Sequence, residues 1–265
     1  MTRTTLIFLH ALGASWREWE QVIALLPGYD CVALDLPGFG DQPLAGETNV
    51  ARLADWLAAE IAKRQLTTSV LVGHSMGGKI VTLVAARAVA GETALESVRG
   101  VVLVAASPLA PEPMDEHRRA EMIGWFADGQ PTGEDAATFV DGNTTSPLTE
   151  ALRGQAIADV LRSDPAAWLA WLEHGSREDW SAELGQIDLP ALIIAGNQDE
   201  DLGEAAQRRL NLPRFKDARI AVVADAAHLI PYEQPKALAG LIDGHVASAT
   251  ATPSARTPLS KPLRS

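Results

Sequence analysis

A single cysteine, Cys31, is present, so no internal disulfide can staple the chain and its stability must come from a buried core. No uninterrupted apolar run approaches the ~18 residues needed to span a bilayer. Basic residues are few: 22 Lys and Arg stand against 34 Asp and Glu, a formal charge of −12. Without a cluster of Lys and Arg to neutralise phosphates, nucleic acid is excluded as a partner and a strongly anionic substrate is disfavoured. Histidine is also sparse, at six residues, and no pair shows H-E-x-x-H spacing or a Cys and His cluster, so no metal is expected. The apolar stretch 6–9 is cut by His10 and has no basic flank beyond Arg3. It reads as a strand rather than a secretory signal, which makes a cytoplasmic location without membrane contact the expectation. Cys31 opens an expected buried strand, where a thiol behaves as a small hydrophobe.

What is present fits an ordinary globular domain: 47% apolar and 21% charged residues over 265 positions are enough for one sizeable core. Short β-branched apolar runs recur at 6–10, 31–35, 69–73, 101–105, 191–195 and 220–223. Between them lie stretches with helical spacing at 16–26, 50–64, 76–90, 204–210 and 235–246. Strands alternating with helices predict an α/β fold, a mostly parallel sheet with helices on both faces. The gap between the fourth and fifth strands is far longer than an ordinary βα connection. Residues 108–189 carry Trp125, Trp168, Trp171 and Trp180 with helical spacing and predict a helical cap. Most of these tryptophans are expected in the cap core, with one or two lining an apolar pocket. The expected division is a core of 1–107 and 190–248, the cap, and a flexible tail of 249–265 rich in Ala, Thr, Ser and Pro. No heptad seam announces an interface, and a monomer or dimer is expected.

The strongest chemical signal is Gly73-His74-Ser75-Met76-Gly77-Gly78, which follows an expected strand and opens an expected helix. That is the context a G-x-S-x-G nucleophile elbow requires. A sharp strand-to-helix turn lifts the serine hydroxyl above the sheet, and small flanking residues let the turn close. The helix start also brings the N–H of Met76 to where a developing oxyanion would sit.

With this elbow the chain resembles the α/β-hydrolase family, in its small serine carboxylesterase and lactonase-like form with a helical cap, over nearly all its length except the tail. Three further stretches carry the likeness. His10-Ala11-Leu12-Gly13 resembles the family's oxyanion loop, with Ala11 where Gly is usual. The resemblance implies that the N–H of Leu12 is the second oxyanion donor and that His10 packs beneath the loop rather than acting as a base. Asp35-Leu36-Pro37-Gly38-Phe39-Gly40 resembles the family's turn after the second strand, a structural marker. Ala226-Ala227-His228 resembles the loop that delivers the catalytic histidine.

A histidine can take the serine proton only as a neutral imidazole in the right tautomer, so a carboxylate should hold its other nitrogen. Asp199, in Gly196-Asn197-Gln198-Asp199 after the fifth strand, is the candidate, and Asp201 its competitor. The implied catalytic triad is Ser75, His228 and Asp199, with an oxyanion hole from the N–H groups of Leu12 and Met76 and no cofactor. The expected function is hydrolysis of a carboxylic ester or lactone through an acyl-enzyme on Ser75. C–C bond hydrolysis, thioester cleavage, perhydrolysis or a lyase reaction on the same triad are the alternatives, and a non-catalytic ligand-binding module is the reading from another class. A serine at the elbow excludes dehalogenase and epoxide-hydrolase chemistry, which needs a carboxylate nucleophile.

Overall fold

A computed structural model of the chain describes residues 3–127 and 129–251. Six strands form one sheet: β1 (Thr5–Leu9), β2 (Asp30–Leu34), β3 (Ser69–His74), β4 (Val98–Val104), β5 (Ile187–Gly196) and β6 (Phe215–Val223). They lie in the order β2-β1-β3-β4-β5-β6, and every pair is parallel. Alternate side chains divide cleanly between two cores. Ile7, Leu9, Leu71, Val101, Leu103 and Ile193 join one; Leu6, Phe8, Val70, Val102, Val104 and Ile194 join the other. The sheet is therefore covered on both faces, which is why its central strands read as continuous apolar runs.

Helices α1 (Glu20–Ala24), α2 (Val50–Lys63) and α3 (Met76–Val89) make the first crossovers. The connection from β1 leads outward to β2, whereas that from β3 leads the other way to β4. The two neighbouring strands thus form a switch point, and the loops leaving their C-terminal ends open a crevice there. Between β4 and β5 lie α4 (Glu116–Gly124), α5 (Gly133–Asp141), α6 (Glu150–Leu161) and α7 (Pro165–Glu173). Each begins with a side-chain cap: Asp115, Thr132, Thr149 and Asp164 in turn, satisfying N–H groups that a helix start leaves open. Trp168 is fully buried, stacks on Phe126 with ring centroids 4.3 Å apart, and donates Nε1–H to the Met122 carbonyl at 2.9 Å. Lys79, also fully buried, donates to the carbonyls of Glu178 (2.6 Å) and Ala110 (3.4 Å), tying α3 to both ends of the inserted segment. Helix α8 (Glu204–Leu210) follows β5; α9 (Ile230–Glu233) and α10 (Pro235–Ala251) follow β6.

Several expectations are corrected. β2 is an edge strand and Cys31 is half-buried rather than core; burial and the adjacent Asp30 push its thiol up to about 11, which disfavours the thiolate form. β5 begins at Ile187, not 191: Pro190 donates no ladder hydrogen bond, and the β5–β6 register shifts between Ile187 and Pro190, which masks the strand start. The segment 16–26 divides into a 3₁₀ turn (Trp16–Trp19) and α1. α10 continues to Ala251, so residues 249–251 of the expected tail are helical; residues 252–265 lie outside the described residues.

Candidate active site

Ser75 joins β3 to α3 with φ 49° and ψ −117°, a strained conformation for a residue with a Cβ. Its main chain is fixed on both sides: its N–H donates to Val104 at 3.0 Å, and its carbonyl accepts from Gly78 (2.9 Å) and Ser107 (3.0 Å). The hydroxyl takes no part in capping α3. The elbow closes against the loop after β1, and a Cβ on Gly77 would stand 2.7 Å from the Leu9 carbonyl oxygen and 2.8 Å from that of His10. Only glycine permits that approach. In this loop His10 is buried and both ring nitrogens are used, Nδ1–H donating to the Ala11 carbonyl (2.7 Å) and Nε2 accepting from the Leu36 N–H (2.9 Å). Leu12 stands at the pocket wall, whereas the Met76 side chain is in the core and offers only its main chain. Among the described residues neither the Leu12 nor the Met76 N–H meets an acceptor. The latter belongs to the open first turn of α3.

The loops after β5 and β6 meet so closely that a Cβ on Gly196 would lie 2.1 Å from the Ala227 carbonyl oxygen. This contact sets Asp199 Oδ2 2.8 Å from His228 Nδ1. The other carboxylate oxygen accepts the N–H groups of Asp201 (3.1 Å) and Leu202 (2.9 Å). Burial alone would raise the Asp199 carboxyl, but the charge and hydrogen bond of His228, with these two amides, hold it below its ordinary range. Burial would likewise lower the imidazole; Asp199, by charge and by hydrogen bond, and Glu112 outweigh it, and His228 is raised above its ordinary value. Asp201 turns the other way, to Arg118 Nη1 at 3.1 Å.

Ser75, Leu12, Asp199 and His228 line one pocket of about 350 Å³. Met114, Met122, Phe139 and Trp171 give it an apolar wall, and Arg118, Asn143 and Thr145 a polar one. The polar wall also grips the histidine loop. The Asn143 carbonyl accepts from the N–H groups of His228 and Leu229, both at 3.1 Å, and its side-chain oxygen accepts from Arg118 Nη2 at 2.8 Å. Among the described residues no three His, Cys, Asp or Glu side chains assemble into a metal-binding group. No helix among them is long and apolar enough to cross a membrane.

A family model for the alpha/beta hydrolase family matches residues 6–241. The chain belongs to the alpha/beta hydrolase family. Its curated relatives include a pimeloyl-(acyl-carrier protein) methyl ester esterase of Neisseria meningitidis serogroup A, 27% identical over 256 residues, 94% of this chain and 78% of the relative. A 2-succinyl-6-hydroxy-2,4-cyclohexadiene-1-carboxylate synthase of Enterobacter sp. is 26% identical over 243 residues, 89% of each chain. Among solved structures, an esterase from Exiguobacterium antarcticum superposes with a TM-score of 0.82 at 17% identity, covering 92% of both chains, a likeness of fold.

Within this alpha/beta hydrolase, sequence reasoning missed four residues at the site. Glu112 lines the pocket and accepts from Ser107 Oγ at 2.5 Å; burial raises its carboxyl, against the pull of Ser107, His228, Lys79 and Arg119. Asn143 acts through its carbonyl, which every residue has, so no sequence signal marks it. Glu18 and His74 are buried beside the site as a pair, 56 positions apart, and only the place of His74 within the elbow hinted at a role.

Proposed function

We propose that this alpha/beta hydrolase cleaves carboxylic esters of modest size by two-step acyl transfer on Ser75. The observation that carries the reading is the Asp199–His228 contact of 2.8 Å in the pocket that also holds Ser75. With Nδ1 engaged by Asp199, Nε2 is the nitrogen left to take the Ser75 proton as Oγ attacks the carbonyl carbon. The oxyanion that forms is met by the N–H groups of Leu12 and Met76, and Asp199 stabilises the imidazolium. His228 then returns the proton to the leaving alcohol. In the second half it takes a proton from water as the water oxygen attacks the acyl carbon, and hands that proton to Ser75 Oγ as the acid leaves.

Residues 108–189 serve as a cap whose inner face forms the substrate pocket, and the protein works in the cytoplasm on a small molecule. The pocket lining carries four carboxyl groups, Asp199, Glu200, Asp201 and Glu112, against Arg118 and the imidazole of His228; Arg118 is already bridged to Asp201 and His228 to Asp199. That balance favours an uncharged ester over an acid. The relative named a synthase supports a second reading, a lyase on the same triad.

The test is a panel of methyl and p-nitrophenyl esters of short acids, assayed with wild type and Ser75→Ala. Hydrolysis by wild type alone supports the ester reading. A folded wild type that turns over none of them refutes it and moves the weight to the lyase.

A further inference from the structure

Glu18 and His74 are fully buried side chains with no part in the two-step mechanism above. His74 is the last residue of β3, next to Ser75, and Glu18 lies on the 3₁₀ turn Trp16–Trp19 after the oxyanion loop. His74 Nδ1 stands 3.1 Å from Glu18 Oε2 and 3.2 Å from Oε1. Its Nε2 lies 2.8 Å from the main-chain carbonyl of His228. A carbonyl only accepts, so Nε2 carries a proton. Glu18 Oε1 also accepts the N–H of Ala11 at 3.3 Å. The edge of Trp19 (ring centroids 6.2 Å apart) and the His228 ring (5.2 Å) pack against the His74 ring and limit its rotation.

Burying a carboxyl group and an imidazole that share a proton between Glu18 and Nδ1 costs solvation that an apolar pair of the same volume would avoid. Here the pair makes a connection an apolar pair could not. One end holds the loop that carries the Leu12 N–H, and the other holds the peptide of His228, whose N–H is held from the far side by Asn143.

We propose that Glu18 and His74 are positioning residues, a buried couple that links the oxyanion loop to the main chain of His228 and keeps base and oxyanion donor aligned on Ser75. The proposal rests on the assignment of Ser75 and His228 made above. Neither residue lines the pocket, so substrate binding is spared while the reacting geometry is not. A misplacement of about 1 Å in the reacting groups can cost on the order of 100-fold in rate.

The experiment compares Glu18→Gln, Glu18→Leu and His74→Leu with wild type on a p-nitrophenyl ester. Rates are expressed per fluorophosphonate-labelled site, and folding is followed by circular dichroism. In Glu18→Gln the new amide oxygen can still accept from Ala11 and its NH₂ can donate to His74 Nδ1, leaving Nε2–H on the His228 carbonyl. Expected are a kcat within about 3-fold of wild type for Glu18→Gln, and kcat lower by about 10- to 100-fold with KM nearly unchanged for both leucine variants. Wild-type kcat per labelled site in either leucine variant, whatever its melting temperature, overturns the proposal. So does a loss in Glu18→Gln as large as in Glu18→Leu. Should His74→Leu fail to fold, the two Glu18 variants decide by the same criteria. A wild type that takes no label at Ser75 overturns the catalytic assignment itself, and this inference with it.

Discussion

Replacing Asp199 by Asn removes one charge and almost no volume, and the structure fixes how the new amide must sit. The Asp199 oxygen facing the loop accepts two main-chain N–H groups, from Asp201 at 3.1 Å and Leu202 at 2.9 Å. Both donors need an acceptor, and leaving either buried and unpaired costs about 1–3 kcal/mol. The amide oxygen therefore keeps that place and the NH₂ group takes the position 2.8 Å from His228 Nδ1. An NH₂ there donates, so Nδ1 must accept and the ring proton moves to Nε2, the nitrogen that should receive the Ser75 proton. The base is then in the wrong tautomer. The same substitution in a serine protease triad lowers kcat by about 10⁴, which corresponds to about 5.5 kcal/mol of barrier at 1.36 kcal/mol per decade. Steady-state hydrolysis of a p-nitrophenyl ester by folded Asp199→Asn should show a loss of that order, with Asp201→Asn within about 10-fold of wild type. The reasoning is refuted if Asp199→Asn stays nearly as active as wild type while Asp201→Asn is inactive.

Because His228 is raised above its ordinary value of about 6.5, the acid limb of kcat/KM should have its midpoint above 6.5, activity falling as pH drops through it. A flat profile well into acid would contradict its proposed role as base. Stability has the opposite sign. A raised His228 and a lowered Asp199 make the charged pair stabilising in full between roughly pH 4 and 6.5. Its contribution is lost as pH rises through the His228 pKa or falls through that of Asp199, as urea unfolding across pH would register. Gly77→Ala forces a Cβ to 2.7 Å from the Leu9 carbonyl oxygen, and should cost about 1–3 kcal/mol in urea unfolding and lower kcat; an unchanged midpoint and rate would refute the close-approach argument. Trp168→Ala removes a fully buried ring stacked on Phe126 and should cost about 3–5 kcal/mol, with KM raised as the Met122 and Trp171 wall loosens. A loss under 1 kcal/mol would show that the wall stands without it.

The order of strands and helices was legible because the central strands are covered on both faces and must be apolar throughout, as Val70, Leu71 and Val72 are. It failed at the sheet margin. β6 runs Phe215–Val223 along an edge where Lys216, Asp217 and Arg219 face water, so only its last residues carry a strand pattern. The G-x-S-x-G stretch and the turn at Asp199 are local patterns, so the sequence could offer them as candidates. What tells Asp199 from Asp201 is the direction each side chain takes, one to His228 and the other to Arg118, and both contacts close long loops. Partners 56 positions apart, such as Glu18 and His74, or the Asn143 carbonyl under His228, leave no periodic trace.

The central claim is that Ser75 is an activated nucleophile. Purified wild type and Ser75→Ala would be incubated with a fluorophosphonate probe and their intact masses measured, a test that needs no knowledge of the substrate. One covalent adduct on wild type and none on Ser75→Ala is the expected result. A folded wild type that gains no mass, or a Ser75→Ala variant that is labelled equally, would contradict the account.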